Sequence, residues 1–265
     1  MKITVITSNK PRHNYLISLL QKVASKMYVI QEVDTIFPGL RDGRYPKGNK
    51  YAEYFKNVHK AEKKIFKNKN LKLLKKTTIL SISKGDINLL PLKDLGDFLK
   101  SNLYIVFGSS FLKGKLVNFL IKNKAINIHM GISPYYRGTD CNFWALYDNN
   151  SHLVGSTIHY LSKGIDSGPI LYHAISQHHP NPFIYTMSAV KAAFKSIEKR
   201  IKDKTIKTII PKNQSKILEI RYSKRKEFDI KSVNNFFKKK INLFKEKNLN
   251  GLKEPFILKR IDFFK

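Results

Sequence analysis

The sequence predicts an α/β protein built on a doubly wound, mostly parallel sheet, with a small α+β extension at its C-terminal end. Two observations lead to this fold class. Short β-branched runs alternate with amphipathic runs of helical spacing between residues 1 and 130, which is the pattern of strand–helix–strand units. The run at 103–107 is apolar throughout, as expected for a central parallel strand that helices cover on both faces. The predicted boundaries are 1–204 for the main domain and 205–265 for the extension.

The first half of the chain supplies four predicted strands and four predicted helices. The strands lie where β-branched and other apolar residues cluster, at 2–7, 27–33, 77–83 and 103–107. The helices lie where apolar residues recur every three or four positions, at 15–26, 50–68, 91–100 and 115–123. Residues 37–49 are rich in Gly, Pro and Arg and form a predicted loop, in which Arg41, Arg44 and Tyr45 are candidates for substrate contact.

The second half continues the alternation and then changes character. A short strand ends at Asn127 and His129, and a helix at 139–150 follows, with Thr139 or Asp140 as its N-cap. Two more strands and a long amphipathic helix are predicted at 152–161, 169–175 and 181–202. The extension is predicted to contain a pair of short strands within 205–222 and a last helix at 231–247.

The strongest compositional feature is charge, because 50 Lys and Arg against 19 Asp and Glu give a formal net charge of +31. Such a field suits a polyanionic partner, including nucleic acid. The positive residues are scattered, however, and most are Lys rather than the Arg that binds phosphates and bases in bidentate fashion. Heavy use of Lys, Ile, Asn and Phe is also typical of A+T-rich coding sequence. We therefore favour codon bias over a nucleic-acid partner, although a phosphate-bearing substrate would still benefit from the charge.

Several features bear on compartment and cofactors. No apolar run approaches the ~20 residues that cross a bilayer, and the N-terminal run MKITVITSNK is a predicted strand rather than a signal peptide. The single Cys141 fits a reducing compartment, so we expect a cytoplasmic protein without a membrane span. The histidines after residue 172 lack the spacing and the nearby carboxylates of a metal site, so no metal is expected. The oligomeric state stays open, with a homodimer among the options.

The residues that carry chemistry are densest between 125 and 175. Asn127 and His129 are two apart at the end of an apolar run, so on a strand their side chains share a face. Asp166 lies in a turn between two later apolar runs. An amide, an imidazole and a carboxylate at strand ends suit acyl transfer, because they offer an oxyanion donor, a proton carrier and a base. Each residue alone also fits a structural role in a loop, a core or a turn.

The same segment resembles a known family. Three motifs carry the resemblance: Asn-x-His with Ser-Pro-x-x-Arg-Gly at 127–138, Gly-x-Thr-x-His at 155–159, and Ile-Asp-Ser-Gly-Pro-Ile-Leu at 165–171. Together they resemble the formyltransferases that use N10-formyltetrahydrofolate, a family that includes glycinamide ribonucleotide transformylase, methionyl-tRNA formyltransferase and the sugar N-formyltransferases. The likeness covers roughly residues 103–175. It implies the Rossmann-like formyltransferase fold and a folate co-substrate.

The resemblance also implies roles for individual residues. Asn127 would donate to the formyl oxygen, His129 would stabilise the intermediate or relay a proton, and Asp166 would accept the proton and orient His129. The folate would lie between two loops, whose candidate contacts are Ser110, Phe111, Leu112, Lys163, Gly164 and Ile165. His159 would share a wall with this site, and a structural role fits it equally well. The serines at 109 and 110 depart from the bulkier residues common there in the family.

Substrate contacts are expected at two further places. Arg12 and His13 follow the first strand, where the family's first loop commonly faces the phosphate of the amine substrate. That loop lacks a glycine-rich fingerprint, so a plain exposed loop is an equal alternative. Tyr135 and Arg137 lie in the loop after His129, where the tyrosine could stack on a sugar or a base.

The acceptor amine is inferred partly by elimination within the family. Methionyl-tRNA enzymes carry a C-terminal barrel domain for which 205–265 is too short, and glycinamide ribonucleotide enzymes have a glycine-rich phosphate loop that residues 7–14 do not form. A nucleotide-linked amino sugar of surface glycan synthesis, such as lipopolysaccharide, fits best. A methionyl-tRNA formyltransferase-like enzyme, a formyltetrahydrofolate deformylase with water as acceptor, and a basic nucleic-acid-binding module on an inactive transformylase fold are the alternatives.

Overall fold

The structure is a computed structural model that describes residues 1–41, 47–67, 71–241 and 243, together with the backbone of 258–260. Within these ranges the chain forms ten β-strands and six α-helices. The strands are β1 Lys2–Ser8, β2 Lys26–Val33, β3 Thr77–Ser83, β4 Leu103–Val106, β5 Ile126–His129, β6 Tyr136–Gly138, β7 Ser156–Tyr160, β8 Ile170–Ile175, β9 Arg221–Ser223 and β10 Leu258–Arg260. The helices are α1 Pro11–Val23, α2 Asn49–Phe66, α3 Gly114–Lys122, α4 Cys141–Tyr147, α5 Pro182–Lys202 and α6 Ile230–Lys238.

Eight of the strands form one sheet, in the order β10-β8-β7-β5-β4-β1-β2-β3. All neighbouring pairs are parallel except those of β7, which runs antiparallel to both β5 and β8. The strand that was expected to be central, β4, lies between β5 and β1 and is buried along its whole length. The structure therefore confirms the predicted fold class of a doubly wound, mostly parallel sheet.

Alternating side chains of the central strands fill two cores on opposite faces of the sheet. Ile3 and Val5 of β1 pack with α1 and α5 on one face, whereas Ile6 packs with α3 on the other. Burial of both faces explains why these strands read as continuous apolar runs rather than as alternating ones. Among the described residues, no helix has the length and apolar character that crossing a membrane requires.

The extension docks through a third, aromatic core. Phe228 and Phe236 are buried with Phe143 of α4, and the Phe143 and Phe236 rings stack with centroids 4.9 Å apart. The Arg221 guanidinium lies 3.6 Å from the centroid of Trp144, as a cation–π contact. Such aromatic pairs are worth about 0.5–1.5 kcal/mol each beyond the area they bury. The described part of the extension is thus packed onto the main domain rather than tethered to it.

The structure differs from the sequence-based prediction at several boundaries. Helix α1 begins at Pro11 rather than at residue 15, because its first turn is polar and lies outside the apolar periodicity. The predicted helix at 91–100 is a 3-10 segment, Leu92–Leu99, with a non-helical break at Gly96. The predicted pair of strands within 205–222 does not form: that stretch contains two 3-10 turns and a single antiparallel bridge of Lys212 to Ile170, and the short strand β9, which begins at its end, pairs with β6.

Candidate active site

Asn127 and His129 close β5 at the carboxyl edge of the sheet, where the parallel strand β4 flanks it on one side and the reversed strand β7 on the other. Because the two residues are two apart on a strand, their side chains leave the same face. Asp166 reaches them from the turn between β7 and β8. The structure therefore brings the three predicted catalytic side chains into the wall of one cavity.

The Asp166 carboxylate binds both partners at once. Its Oδ2 lies 3.2 Å from His129 Nδ1, and its Oδ1 accepts a 3.2 Å hydrogen bond from the Asn127 side-chain amide. The backbone N–H of Gly138 donates to Oδ2 over 3.3 Å. Only 12% of the Asp166 side chain is exposed. These contacts therefore take the place of the water that an exposed carboxylate would bind.

A fourth residue, His159, completes the network. Its Nδ1 lies 2.8 Å from the backbone carbonyl oxygen of Tyr160, so Nδ1 carries the proton and donates it. The other ring nitrogen, Nε2, is then an acceptor, and it lies 3.0 Å from the Asn127 side-chain nitrogen. His159 is 1% exposed. The sequence placed it beside the site without assigning it this partner.

The electrostatic balance of the site follows from burial and close charges. Burial lowers the pKa of His129 below its usual value, although the Asp166 carboxylate acts in the opposite direction. Burial alone would raise the pKa of Asp166, but the facing His129, His159 and the Gly138 N–H lower it. The resting state is therefore an ionised Asp166 beside a neutral His129. The second ring nitrogen of His129, Nε2, lies 3.3 Å from the Tyr136 carbonyl oxygen, so a protonated ring would donate to oxygen on both sides.

The cavity has a volume of about 1360 Å³ and extends from the loop after β4 to the turn after β7. Drug-sized ligands usually occupy about 300–1,000 Å³. The space therefore suits two substrates side by side. Phe111 and Ile165 line the cavity and are 54% and 39% exposed, so each presents apolar surface to it.

The loop after β4 is held by a buried carboxylate. Glu32, at the end of β2, is fully buried and accepts from the Ser110 N–H at 2.5 Å and from the Ser110 hydroxyl at 2.7 Å. It also accepts from the Gly85 N–H at 2.7 Å. Asn88 binds the same loop through the Phe111 carbonyl and the Lys113 N–H. Ser110 was expected to contact folate, but its hydroxyl and its N–H both donate hydrogen bonds to Glu32. The sequence analysis did not single out Glu32.

The other expected folate contacts divide into two groups. Phe111, Leu112, Gly164 and Ile165 line the cavity, and the Leu112 side chain is also part of the core under α3. Lys163, in contrast, is exposed and is not among the described residues that form the cavity wall.

Arg12 and His13 line the cavity from the first turn of α1, yet both have partners in the protein. The Arg12 guanidinium lies 2.7 Å from the buried Glu62 of α2. His13 is 2% exposed and lies directly beneath Gly108, where an added Cβ would come 2.6 Å from its Nε2. Gly108 has a φ of +63°, so both backbone and space require glycine there.

Tyr135 and Arg137 do not contribute to the cavity wall that the structure describes. Tyr135 is 7% exposed, and its carbonyl oxygen accepts from the N–H groups of Ile220 and Arg221. Arg137 lies between Glu219 of the extension and the Ile165 carbonyl, at 2.8 Å and 3.0 Å. Both residues therefore join the main domain to the extension in this structure.

The remaining expectations concern a metal site and the loop after β2. Among the described residues, no three His, Cys, Asp or Glu side chains are grouped as ligands of a metal ion would be. Of the loop candidates, Arg41 is exposed, whereas Arg44 and Tyr45 lie outside the described residues.

Comparison with known proteins bears on identity. Residues 94–206 match the sequence model of the family described as formyl transferase. A sugar N-formyltransferase candidate from Mycobacterium tuberculosis aligns with 86% of this chain and 77% of its own, at 15% identity and a TM-score of 0.51. Glycinamide ribonucleotide transformylase 1 from Symbiobacterium toebii aligns with 81% of this chain and 94% of its own, at 12% identity and a TM-score of 0.50. A 4-N formyltransferase from Francisella tularensis is 21% identical over 84% of this chain and 75% of its own, with a TM-score of 0.48.

The two solved structures with TM-scores of 0.51 and 0.50 show a shared fold, and the sequence match extends the similarity to the family over residues 94–206. The matched segment contains β5, the turn of Asp166 and the three side chains that meet in the cavity. The segment 94–206 is thus similar in sequence to the formyl transferase family, and it holds all three of the side chains that meet in the cavity.

Proposed function

We propose that this enzyme transfers the formyl group of N10-formyltetrahydrofolate to the amino group of a nucleotide-linked amino sugar, in the synthesis of surface glycans such as lipopolysaccharide. One observation carries the proposal. The two oxygens of a single, largely shielded carboxylate, Asp166, bind Asn127 and His129 in the wall of a cavity that has room for two substrates. An amide donor, an imidazole and a base around one point are what attack of an amine on a formyl carbon needs.

The donor side of the cavity supports a folate. The pterin ring is flat and needs apolar walls with a few polar backbone groups. Phe111 and Ile165 would wall it, because they are the exposed apolar side chains on the two loops that flank the catalytic residues. Glu32 and Asn88 would keep the first of these loops in place through their hydrogen bonds to it.

The acceptor side supports a nucleoside diphosphate. Beyond the catalytic residues, the cavity runs between the loop after β2 and one face of α2, where it is lined by Phe37, Lys56 and Lys63. Phe37 is 51% exposed, so its ring could stack on a base. Within the described ranges, neither Lys56 nor Lys63 has a carboxylate within ion-pair distance, whereas Arg12 in the same wall is paired with Glu62. Two ammonium groups that have no carboxylate partner among the described residues, and an exposed ring in the same cavity wall, suit the phosphates and the base of a nucleotide.

The chemistry follows from the contacts of the three side chains. Asn127 would donate an amide hydrogen to the formyl oxygen as negative charge develops there, a contribution typically worth about 2.7–4 kcal/mol of barrier. Asp166 would take up the proton that the attacking amine releases. His129 would share that proton through Nδ1, since a protonated ring can donate to Asp166 and to the Tyr136 carbonyl together. When the tetrahedral intermediate collapses, the bond between the formyl carbon and N10 would break, and the proton would pass to N10 as tetrahydrofolate leaves. Burial keeps these charges out of water and so strengthens each interaction.

The proposal is tested by supplying N10-formyltetrahydrofolate with a panel of acceptors. The panel contains amino-sugar nucleotides that differ in sugar, base and amine position, glycinamide ribonucleotide, charged methionyl-tRNA, and buffer alone. Tetrahydrofolate release is followed by absorbance, and mass spectrometry detects the gain of one formyl group by the acceptor. We expect rapid release only with an amino-sugar nucleotide.

The arms of the panel separate the alternatives. Equal release in buffer alone would identify a deformylase, and formylation of the tRNA or of the ribonucleotide would replace the sugar as substrate. Asp166→Asn is the matched inactive control, because it keeps the size of the side chain and removes its charge. Asn213→Ala, at an exposed position of the extension, is the matched active control.

A further inference from the structure

The turn that carries Asp166 is held by residues outside the matched family segment. The side-chain nitrogen of Gln214 lies 2.8 Å from the carbonyl oxygens of both Asp166 and Gly168. An atom that faces two carbonyl oxygens must be a donor, so the network fixes it as the amide nitrogen. The two amide hydrogens of Gln214 therefore bind the carbonyl oxygens at both ends of the short segment 166–168.

A second contact stabilises the turn one residue earlier, at Ile165. Arg137 donates to the Ile165 carbonyl oxygen at 3.0 Å and pairs with Glu219 of the extension at 2.8 Å. The Arg137 side chain is 13% exposed and that of Glu219 is 27% exposed, so the pair is partly shielded from water. Three carbonyl groups of the turn, those of Ile165, Asp166 and Gly168, are thus engaged through the extension.

A third contact, from the Gly138 N–H, is made to the Asp166 carboxylate itself. Strand β9 of the extension pairs with β6, which places Ser223 opposite Gly138. An added Cβ on Gly138 would lie 2.0 Å from the Ser223 carbonyl oxygen, and Gly138 has a φ of +94°, so the strands approach this closely only because the residue is glycine. The Gly138 N–H points at Asp166 Oδ2 from this position.

The turn needs such support because of its backbone. Asp166 has a φ of +48°, in the left-handed region that costs a residue with a side chain on the order of 1 kcal/mol. Conformations of this kind persist where the surroundings hold them. Gly164 and Ile165 before it are exposed, so the main domain supplies little packing there.

We propose that Gln214 is a positioning residue that keeps the Asp166 carboxylate directed at His129 and Asn127. This inference rests on the catalytic role of Asp166 proposed above. Gln214 touches the turn through backbone groups and has no place in the described cavity wall. Its loss should therefore slow the chemical step and leave substrate binding intact.

The kinetic test uses two nearly isosteric variants, Gln214→Glu and Gln214→Met, which both remove the amide donor. We expect kcat to fall about 10- to 100-fold, because small displacements of a catalytic group cost that much. KM for both substrates should stay at the wild-type value. Asn213→Ala, next to Gln214 and exposed, should match wild type in both parameters. A raised KM with unchanged kcat would assign Gln214 to substrate binding and overturn the proposal.

A second measurement needs no activity. The groups that act electrostatically on the His129 ring include Asp166, His159 and Arg137, and of these the Asp166 carboxylate raises its pKa. If Gln214→Met lets the carboxylate swing away, NMR titration of the ligand-free protein will show a lower His129 pKa than in wild type. An unchanged titration overturns the proposal whatever the activity. If wild type formylates no amine, the proposed function fails, and this titration still decides whether Gln214 holds the turn.

Discussion

The side-chain nitrogen of Asn127 lies 3.0 Å from Nε2 of His159, which can only accept because its Nδ1 proton is donated to the Tyr160 carbonyl. The second amide hydrogen of Asn127 is directed at Asp166 Oδ1, 3.2 Å away. Both hydrogens of the proposed oxyanion donor are therefore engaged before substrate arrives. These two bonds fix the orientation of the Asn127 amide. To donate a hydrogen bond to the formyl oxygen, Asn127 must give up its bond to His159 or its bond to Asp166.

His159→Phe is expected to lower kcat about tenfold, because the Asn127 amide loses the acceptor that fixes its orientation. His159→Gln, which offers a carbonyl oxygen near the same place, should retain more activity than the phenylalanine variant. Steady-state kinetics compare the two, and thermal unfolding verifies that each is folded, since His159 is fully buried. Equal activity of both variants and wild type would show that the contact is only structural.

Asn127→Ala should lower kcat by about 10²–10³, the usual consequence of removing one oxyanion donor. His129→Ala and Asp166→Asn should each abolish measurable turnover. Because the three side chains share hydrogen bonds, the double variants should lose little more than the worse single one. Stopped-assay release of tetrahydrofolate measures all of them. Full activity in either His129→Ala or Asp166→Asn would refute the assigned roles.

Ser110→Ala should raise KM for the folate donor about tenfold, equivalent to about 1.4 kcal/mol, with kcat and the KM of the amine unchanged. The reason is that the loop after β4 loses one of its bonds to the buried Glu32. Glu32→Gln should show the same effect more strongly, because a charged acceptor is replaced by a neutral one. Ser109→Ala is the control, since its hydroxyl donates only to the neighbouring Ser110 carbonyl among the bonds described. An effect on the amine KM instead would place this loop on the acceptor side.

Stability should depend on pH through His173, whose burial lowers its pKa to about 4. Between the unfolded pKa near 6.5 and this value, the unfolded chain binds a proton that the folded chain does not. The free energy of unfolding should therefore fall as pH drops from about 6.5 to about 4, by on the order of 3 kcal/mol from this residue. Urea unfolding at several pH values measures the slope, and His173→Gln should flatten it. A slope unchanged by that substitution would mean that another group dominates.

Much of the fold could be predicted because its determinants are local. Strands β1 to β5 follow from apolar runs, and α2, α3 and α5 follow from helical spacing. The strand pair expected within 205–222 failed for a physical reason: Ile210 and Ile217 are 83% and 95% exposed, so apolar residues there do not mark a buried strand. The polar first turn of α1 concealed its start in the same way.

The catalytic trio could be found because its members carry the chemistry themselves. Glu32 and Gln214 could not be found, and His159 was placed beside the site without its partner, because each acts through a contact that the sequence does not identify. Glu32 binds Ser110 across 78 residues, and Gln214 binds the carbonyl of Asp166 across 48. A glutamate at a strand end or a glutamine in a loop is too common in sequences to indicate a functional role. The serine at 110, smaller than is common at its position in the family, was the one available signal.

The residues that fix the Asp166 turn come late in the sequence, so they are synthesised after the catalytic residues. During synthesis, a nascent polypeptide that has reached residue 206 already contains every proposed catalytic side chain, but Gln214 and β9 have not yet been added to it. Until they are, nothing from the extension engages the carbonyls of Asp166 and Gly168. If Asp166 has the proposed role, we expect a copy that ends before Gln214 to be a poor catalyst, because its Asp166 turn lacks these two hydrogen bonds.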